Sequence, residues 1–259
     1  MGKIIAVLLL IALFLRNCGM EPVRPTRSVV IVPENVYNMG SKMSFYDDFN
    51  GKLSLNWSIL GVDNTHWSLD KVPGALTITT QNGTYERSAT DYKNIFVIDF
   101  PAEQSQNFQV TTCVSNFEPR GLWNQAGLIL WGDKDNNLKF VYEYGEGPPP
   151  NNALKLLFTA ATEVNGFANH GWFETGQIPE KMWLRLIKRD GEYELYKSID
   201  GESFIPLTAL RPYRLTNDNT IPCLDVPLKS IGIIAMNGTA TSAPEVDASF
   251  DFFEFQILD

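Results

Sequence analysis

Paired carboxylates are the residues of this chain best suited to bond-breaking chemistry. Hydrolysis of a glycosidic bond with retention needs two carboxyl groups about 5 Å apart, one kept protonated by its surroundings. Four pairs are close enough in sequence to share a strand face or a turn: Asp133 with Asp135, Glu143 with Glu146, Glu192 with Glu194, and Glu245 with Asp247. Asp133-Lys134-Asp135-Asn136-Asn137 falls between strand-like runs and reads as a solvated turn. Glu192 and Glu194 share a face, but beside a hairpin turn, where charge is ordinary. The two histidines, His66 and His170, leave no cluster for zinc. Neither a Gly-x-Ser-x-Gly elbow nor a phosphate loop is present. No catalytic residue is assigned.

The elements that must hold any site are strands. Trp183–Phe204, WLRLIKRDGEYELYKSIDGESF, carries Asp190-Gly191 and Asp200-Gly201 between strand-like runs. Asp-Gly suits a two-residue hairpin, because the tight turn needs positive φ, which Gly supplies and Asp tolerates. GALTITT (74–80), NIFVIDF (94–100), FQVTTCVSNF (108–117), AGLILWG (126–132) and LKFVYEY (138–144) are short and rich in β-branched and aromatic residues. ALKLLFTA, SIGIIAMNG and SFDFFEFQI continue the series, and GEGPPPNN (145–152) must be a loop. About a dozen strands in one domain predict two stacked antiparallel sheets, since one open sheet of that size would curl or split.

The amino-terminal segment differs in kind. Ile4–Leu15, IIAVLLLIALFL, is an apolar run of 12 residues. A spanning helix needs about 20, so the run fits the h-region of a secretory signal; a short membrane anchor or a buried helix is the alternative. Leu15-Arg16-Asn17-Cys18 resembles the bacterial lipobox, with Arg16 and Asn17 where that motif has small residues. Glu21–Ser41, with Pro22, Pro25 and Pro33, reads as a tether with one strand at Val29–Val32. The resulting division is 1–18 signal, 19–42 tether and 43–259 sandwich. Cys113 and Cys223 are compatible with one disulfide or with free thiols, Cys113 sitting in a strand-like run. Asn56, Asn82 and Asn237 head glycosylation sequons that matter only in a eukaryotic secretory host. The net charge of −9 excludes a nucleic-acid partner and disfavours an anionic membrane surface.

Taken together, FYDDFNG (45–51), LNW (55–57), WSLDKVPGALTI (67–78), QAGLILWGDKDN (125–136), YKSIDGESF and ASFDFFEF (248–255) resemble the concanavalin A-like jelly-roll domain at the C-terminus of β-xylosidases and its free-standing relatives. The resemblance covers nearly everything after Ser44 and implies an all-β, two-sheet antiparallel sandwich with a concave and a convex face. In β-xylosidases the domain follows a catalytic propeller, whereas here a signal and a tether precede it, so the resemblance does not carry hydrolytic activity over. The Glu-x-Asp-x-Glu arrangement of related glucanases is absent.

A binding role rests on aromatics and loops: sugar rings offer apolar faces that stack on Trp or Tyr, while their hydroxyls need Asn, Asp, Glu or Arg. Trp123 sits in EPRGLWNQ beside Asn124 and Gln125, and Trp172 sits in NHGWFET near His170. Both stretches read as loops, where recognition residues concentrate; closing the ends of the core is the alternative for each ring. Trp131 fits either the concave face or the core, while Trp57, Trp67 and Trp183 are assigned to the core. Asp48 and Asp251 are the candidate ligands of a structural Ca2+, the alternative being a turn cap at Asp48 and a solvated Asp251. No other cofactor is expected. The resulting expectation is an exported, non-catalytic carbohydrate-binding protein, secreted or tethered to the envelope through a lipid on Cys18. A glycoside hydrolase or accessory enzyme, and a surface interaction protein without a glycan site, are the alternatives.

Overall fold

Apolar residues recurring at every second position commit most of the chain to strands. The computed structural model describes residues 36–39, 42–101, 106–147, 154–174, 179–211 and 220–259. In chain order these form β1 (Val36–Met39), β2 (Lys42–Asp47), β3 (Ser58–Leu60), β4 (Trp67–Ser68), β5 (Leu76–Thr79), β6 (Ile95–Asp99), β7 (Phe108–Ser115), β8 (Asn124–Asp133) and β9 (Asn136–Glu146). There follow β10 (Leu154–Val164), β11 (Phe167–Glu174), β12 (Lys181–Arg189), β13 (Glu192–Ser198), β14 (Ile205–Pro206), β15 (Ala209–Arg211), β16 (Thr220–Pro222), β17 (Ser230–Met236) and β18 (Asp247–Ile257). The signal segment, Cys18, the strand expected at Val29–Val32 and the prolines at 148–150 lie outside the described residues.

Two antiparallel sheets result. One runs β1-β2-β18-β7-β12-β13-β14, with β16 on β13, β5 on β18 and β4 on β5. The other runs β15-β11-β10-β9-β8-β17-β6-β3. Both expectations, an all-β fold and two stacked sheets, hold. Strand β1 pairs with β2, Val36 opposite Phe45, although residues 19–42 read as a tether in the sequence.

The main core lies between the sheets. Val110, Leu184, Leu186, Leu195, Phe253 and Phe255 from the first sheet meet Phe96, Leu128, Phe140, Phe158 and Ile231 from the second. In β18 the register against β7 shifts between Phe250 and Phe252. This bulge lets Phe250 and Phe253, three residues apart, both enter the core. Phe252 then points outward and stacks on Tyr46 at 5.8 Å.

The turns follow local chemistry. Asp190 and Gly191 have φ of 51° and 84° and close a two-residue hairpin, Arg189 opposite Glu192. Asp200-Gly201 instead sits in a longer connection, since Lys197 pairs with Ile205. There Asp200 accepts hydrogen bonds from the Glu202 and Ser203 amides and from Ser198 Oγ, which organise a wider turn and hold its carboxyl well below the usual carboxylate range. Trp183 differs from its assignment. In β12 it alternates with the core residues Met182 and Leu184, so it faces outward and its indole covers Gly201. Trp57 and Trp67 pack against the main core.

Asp47, in the FYDDFNG run, organises the first connection. Its carboxylate is fully buried and accepts from the amides of Phe49, Ser54 and Leu55 and from Trp57 Nε1, at 2.7–3.1 Å. Cys113 and Cys223 are both free thiols, Cys113 buried in β7 on the outer face of the first sheet, opposite Trp183.

Candidate functional site

On the outer face of the second sheet, pairing register sets side chains in rows. One row is Met236–Gln125–Glu143–Leu157, the next is Ile234–Gly127–Val141–Thr159–Trp172, and a third is Gly232–Ile129–Lys139–Ala161–His170. This face is not simply solvated. The connection from Gln81 to Asn94 crosses it, held by Gly83 N donating to Gly238 O and by Asn237 N donating to Gln81 O, both at 2.8 Å. Beneath this connection Tyr85 and Tyr92 pack edge-on against Trp131 at 5.3 and 5.5 Å. Ile95, Val97, Ile129, Val141 and Ile234 complete a second, smaller core.

Beside that core a cavity of about 340 Å3 remains open. Its aromatic walls are Trp123 and Trp172, and its polar wall includes Glu86, Gln125, Lys139, Glu143, Thr159 and His170. Arg87, Glu146 and Thr239 also line it. Lys139, only 4% exposed, places Nζ 2.6 Å from Glu86 Oε1. The lysine charge holds the Glu86 carboxyl well below the usual range, and His170 Nε2 stands 3.7 Å from the same oxygen. Burial is the largest influence on Lys139 and opposes its charge, but Glu86 together with Tyr85 and Glu143 outweighs it and raises its pKa. Glu143 is buried and its pKa is raised by that burial; Thr159 donates its hydroxyl to Glu143 Oε1 at 2.6 Å. Gly145, two residues on, leaves room for this carboxyl, because any Cβ there would fall 2.7 Å from Oε1.

One further lining group, Gln125, suits the cavity to a polar occupant. Gln125 is 2% exposed, and its Oε1 has no hydrogen-bond partner among the described residues. Glu163, buried beside the cavity, accepts from the Arg87 amide through Oε1 and leaves Oε2 without a partner there. Burial raises the Glu163 pKa. Buried polar atoms are nearly always paired, so such atoms call for water or a ligand.

Trp123 is presented by a strained turn. Its φ of 63° is left-handed, uncommon for a bulky residue. Asn124 holds the turn: its Oδ1 accepts from the Arg120 and Gly121 amides, and its Nδ2 donates to Asn237 Oδ1 and Pro244 O. Asn237 is thereby buried, which closes that sequon.

The sequence-derived candidates therefore divide. Trp123, Gln125, His170 and Trp172 converge on one cavity. Asn124 does not face it, being fully buried as the pin of the Trp123 turn, and Trp131 is held in the second core. Residues 169–174 of the NHGWFET stretch belong to strand β11 rather than a loop, and His170 and Trp172, two residues apart, stack on one face at 6.0 Å. Of the carboxylate pairs, Glu143 and Glu146 line the cavity. Asp133 instead organises the β8–β9 turn, Glu194 accepts from Tyr196 on the other sheet, Glu245 meets His66, and Asp247 meets Lys71. The candidate calcium ligands are engaged elsewhere: Asp48 accepts from the Asn50 amide, and Asp251 binds Ser115 Oγ and Lys181 Nζ. Among the described residues no group of three or more His, Cys, Asp or Glu is arranged to hold a metal.

Lys139, Glu86, Thr159 and Glu163 had no signal of their own in the sequence. The alternation of Lys139, Val141 and Glu143 against Leu138, Phe140 and Tyr142 marks a shared face. It does not mark the burial of that face.

Two antiparallel sheets around one core, with a cavity on the outer face of the second, define a concanavalin A-like sandwich. Residues 46–256 match the family of the beta xylosidase C-terminal concanavalin A-like domain, and the chain belongs to that family. This places it among carbohydrate-related proteins. A GH43 protein of Bacillus licheniformis is similar in structure, with 20% identity and a TM-score of 0.62, over 87% of this chain and 40% of that one. Xylan beta-1,4-xylosidase of Bacillus halodurans C-125 is similar at 16% identity and a TM-score of 0.58, over 87% and 41%. A Bacteroides ovatus protein, GH43B of a xyloglucan locus, is similar at 18% identity and a TM-score of 0.55, over 82% and 39%. The chain thus spans about two fifths of the length of these proteins. Among curated proteins none matches the sequence.

Proposed function

We propose that this domain binds carbohydrate in the cavity on the outer face of the second sheet, without cleaving it. The observation that carries the reading is the joining of two aromatic walls, Trp123 and Trp172, to a floor of buried hydrogen-bonding groups, Gln125, Glu143 and Thr159. Apolar walls with a few fixed polar groups are the usual construction of a small-molecule site. The family's association with β-xylosidases supports a sugar as the occupant. The test is retention of the protein in gels containing soluble xylan, xyloglucan, glucan or mannan. Wild-type protein is retarded by at least one of these, and Trp172→Ala is not. Equal mobility of both proteins with every polysaccharide would remove the proposal.

One observation favours a second reading, that of a hydrolase. Burial keeps Glu143 toward its protonated form while Glu86, in the same cavity, is held ionised by Lys139. Opposed environments of this kind assign acid and base roles in glycosidases. Release of reducing ends from any of these polysaccharides, abolished by Glu143→Gln, would establish it.

The apolar run Ile4–Leu15 supports an exported protein, and Cys18 is the candidate for lipid attachment. Intact mass of protein from a bacterial envelope decides between a cleaved signal, a lipidated Cys18 and neither.

A further inference from the structure

We infer that the occupant of this cavity is a short, uncharged oligosaccharide of about two or three rings, held at one end by Trp123 and at the other by Trp172. The inference rests on the carbohydrate reading above and adds its size and charge.

Size follows from the sheet. Trp123 immediately precedes β8, whereas Trp172 lies on β11, three strands away. At about 4.8 Å between strands, their backbones are separated by about 14 Å or more. Two or three linked rings match that span between the strands, so that each end of such a chain can lie against one indole. The cavity is also bounded. Glu86 and Arg87 line it from the Gln81–Asn94 connection, and Gly238 and Thr239 line it beside Trp123. Its volume of about 340 Å3 lies at the lower end of the roughly 300–1,000 Å3 typical of ligand pockets.

Charge follows from the buried groups. The cavity's buried cation, Lys139, is already satisfied by Glu86 at 2.6 Å. Against it stand Glu86, Glu143 and Glu163, three carboxyl groups within or beside the cavity. At the rim Arg87 and Glu146 offset one another in formal charge. A sugar carboxylate would displace water beside these acids and gain no free buried cation, which is unfavourable in a medium of low dielectric constant. Hydroxyl groups fit better. Gln125 Oε1 has no partner among the described residues and accepts a hydroxyl proton.

The test is calorimetric titration of the full chain with xylo-, cello- and manno-oligosaccharides of one to six residues, and with oligogalacturonates of the same lengths. Affinity is expected to rise at least about tenfold from the monosaccharide to the trisaccharide of the preferred neutral series and to stay level beyond it. Trp123→Ala and Trp172→Ala are each expected to bring the trisaccharide down to the affinity of a shorter ligand. Oligogalacturonates are expected to bind at least about tenfold more weakly than the matched neutral series. Equal affinity for one and three residues, continued gain up to six, or preference for the uronate would overturn this inference and leave the carbohydrate reading standing. A folded protein that binds no sugar of any length would overturn both.

Discussion

Lys139 Nζ lies 2.6 Å from Glu86 Oε1, an ion pair whose cation comes from a strand and whose anion comes from a connection. Removing one partner of a buried pair costs about 3–5 kcal/mol. Glu86 is 28% exposed, so the cost here lies toward or below the lower bound. We expect Glu86→Gln and Lys139→Met each to lower the urea midpoint, and the double variant to recover part of the loss. Additive losses in the double variant would show that the two groups do not act as a pair.

Acid and alkali act on the site in opposite directions. The Glu86 carboxyl is lowered from its ordinary 4.5, so its contribution is present above that value and lost as pH falls through its folded-state pKa. Glu143 is raised from 4.5, so its contribution is present below that value and lost as pH rises through its folded-state pKa. Glu143→Gln keeps an acceptor for Thr159 and cannot ionise. It is expected to match wild-type stability near pH 4 and to exceed it increasingly toward pH 8, measured by urea unfolding across that range. A difference independent of pH would contradict the burial of an ionisable group here.

Two turn glycines separate backbone strain from steric conflict. Gly191, at φ 84°, has nothing near the position of an added Cβ. Its change to Ala should cost only about 1–2 kcal/mol, the penalty of a left-handed conformation. Gly201, at φ 77°, would place a Cβ 2.9 Å from the Trp183 indole. Gly201→Ala should therefore cost more than Gly191→Ala, and Trp183→Ala should reduce the difference. Thermal unfolding of the wild type, the three single variants and the Trp183→Ala/Gly201→Ala double variant checks both statements.

Trp123 combines a left-handed backbone with a position on the cavity wall. Glycine tolerates φ of 63° and alanine does not, so Trp123→Gly should be more stable than Trp123→Ala by about 1 kcal/mol. Both should lose the same oligosaccharide affinity, because both lack the indole. A variant difference in binding that tracked stability would mean that the ring acts only through the turn.

Local chemistry made the frame legible. Asp190-Gly191 closes the hairpin expected of it, and the alternating runs at Leu76–Thr79, Phe108–Ser115 and Asn136–Glu146 are strands. Asn165-Gly166 is an equally clear turn signal, with φ of 50° and 76°. It joins β10 to β11 and would have shown residues 169–174 of the NHGWFET stretch to be strand. The site was only half legible. Trp123 and Trp172 stand out by type, but Lys139 and Glu143 look like ordinary solvent-facing residues in an amphipathic strand. Their burial depends on Tyr85 and Glu86, more than fifty residues earlier, folding across the sheet. No periodicity within β9 encodes that contact. Asn124 misled for a related reason: a polar residue beside a tryptophan can serve the backbone as readily as a ligand.

Among the described residues the second sheet is covered twice, by its partner sheet on one side and by the Gln81–Asn94 connection on the other. The main core does not depend on what that connection carries, since Phe140 and Phe158 face away from it. Changes at Thr84, Glu86 or Arg87 can therefore reshape one wall of the cavity while the sandwich itself is inherited intact. Two chains with the same scaffold and different residues in this one crossing would diverge in ligand preference long before they diverged in architecture.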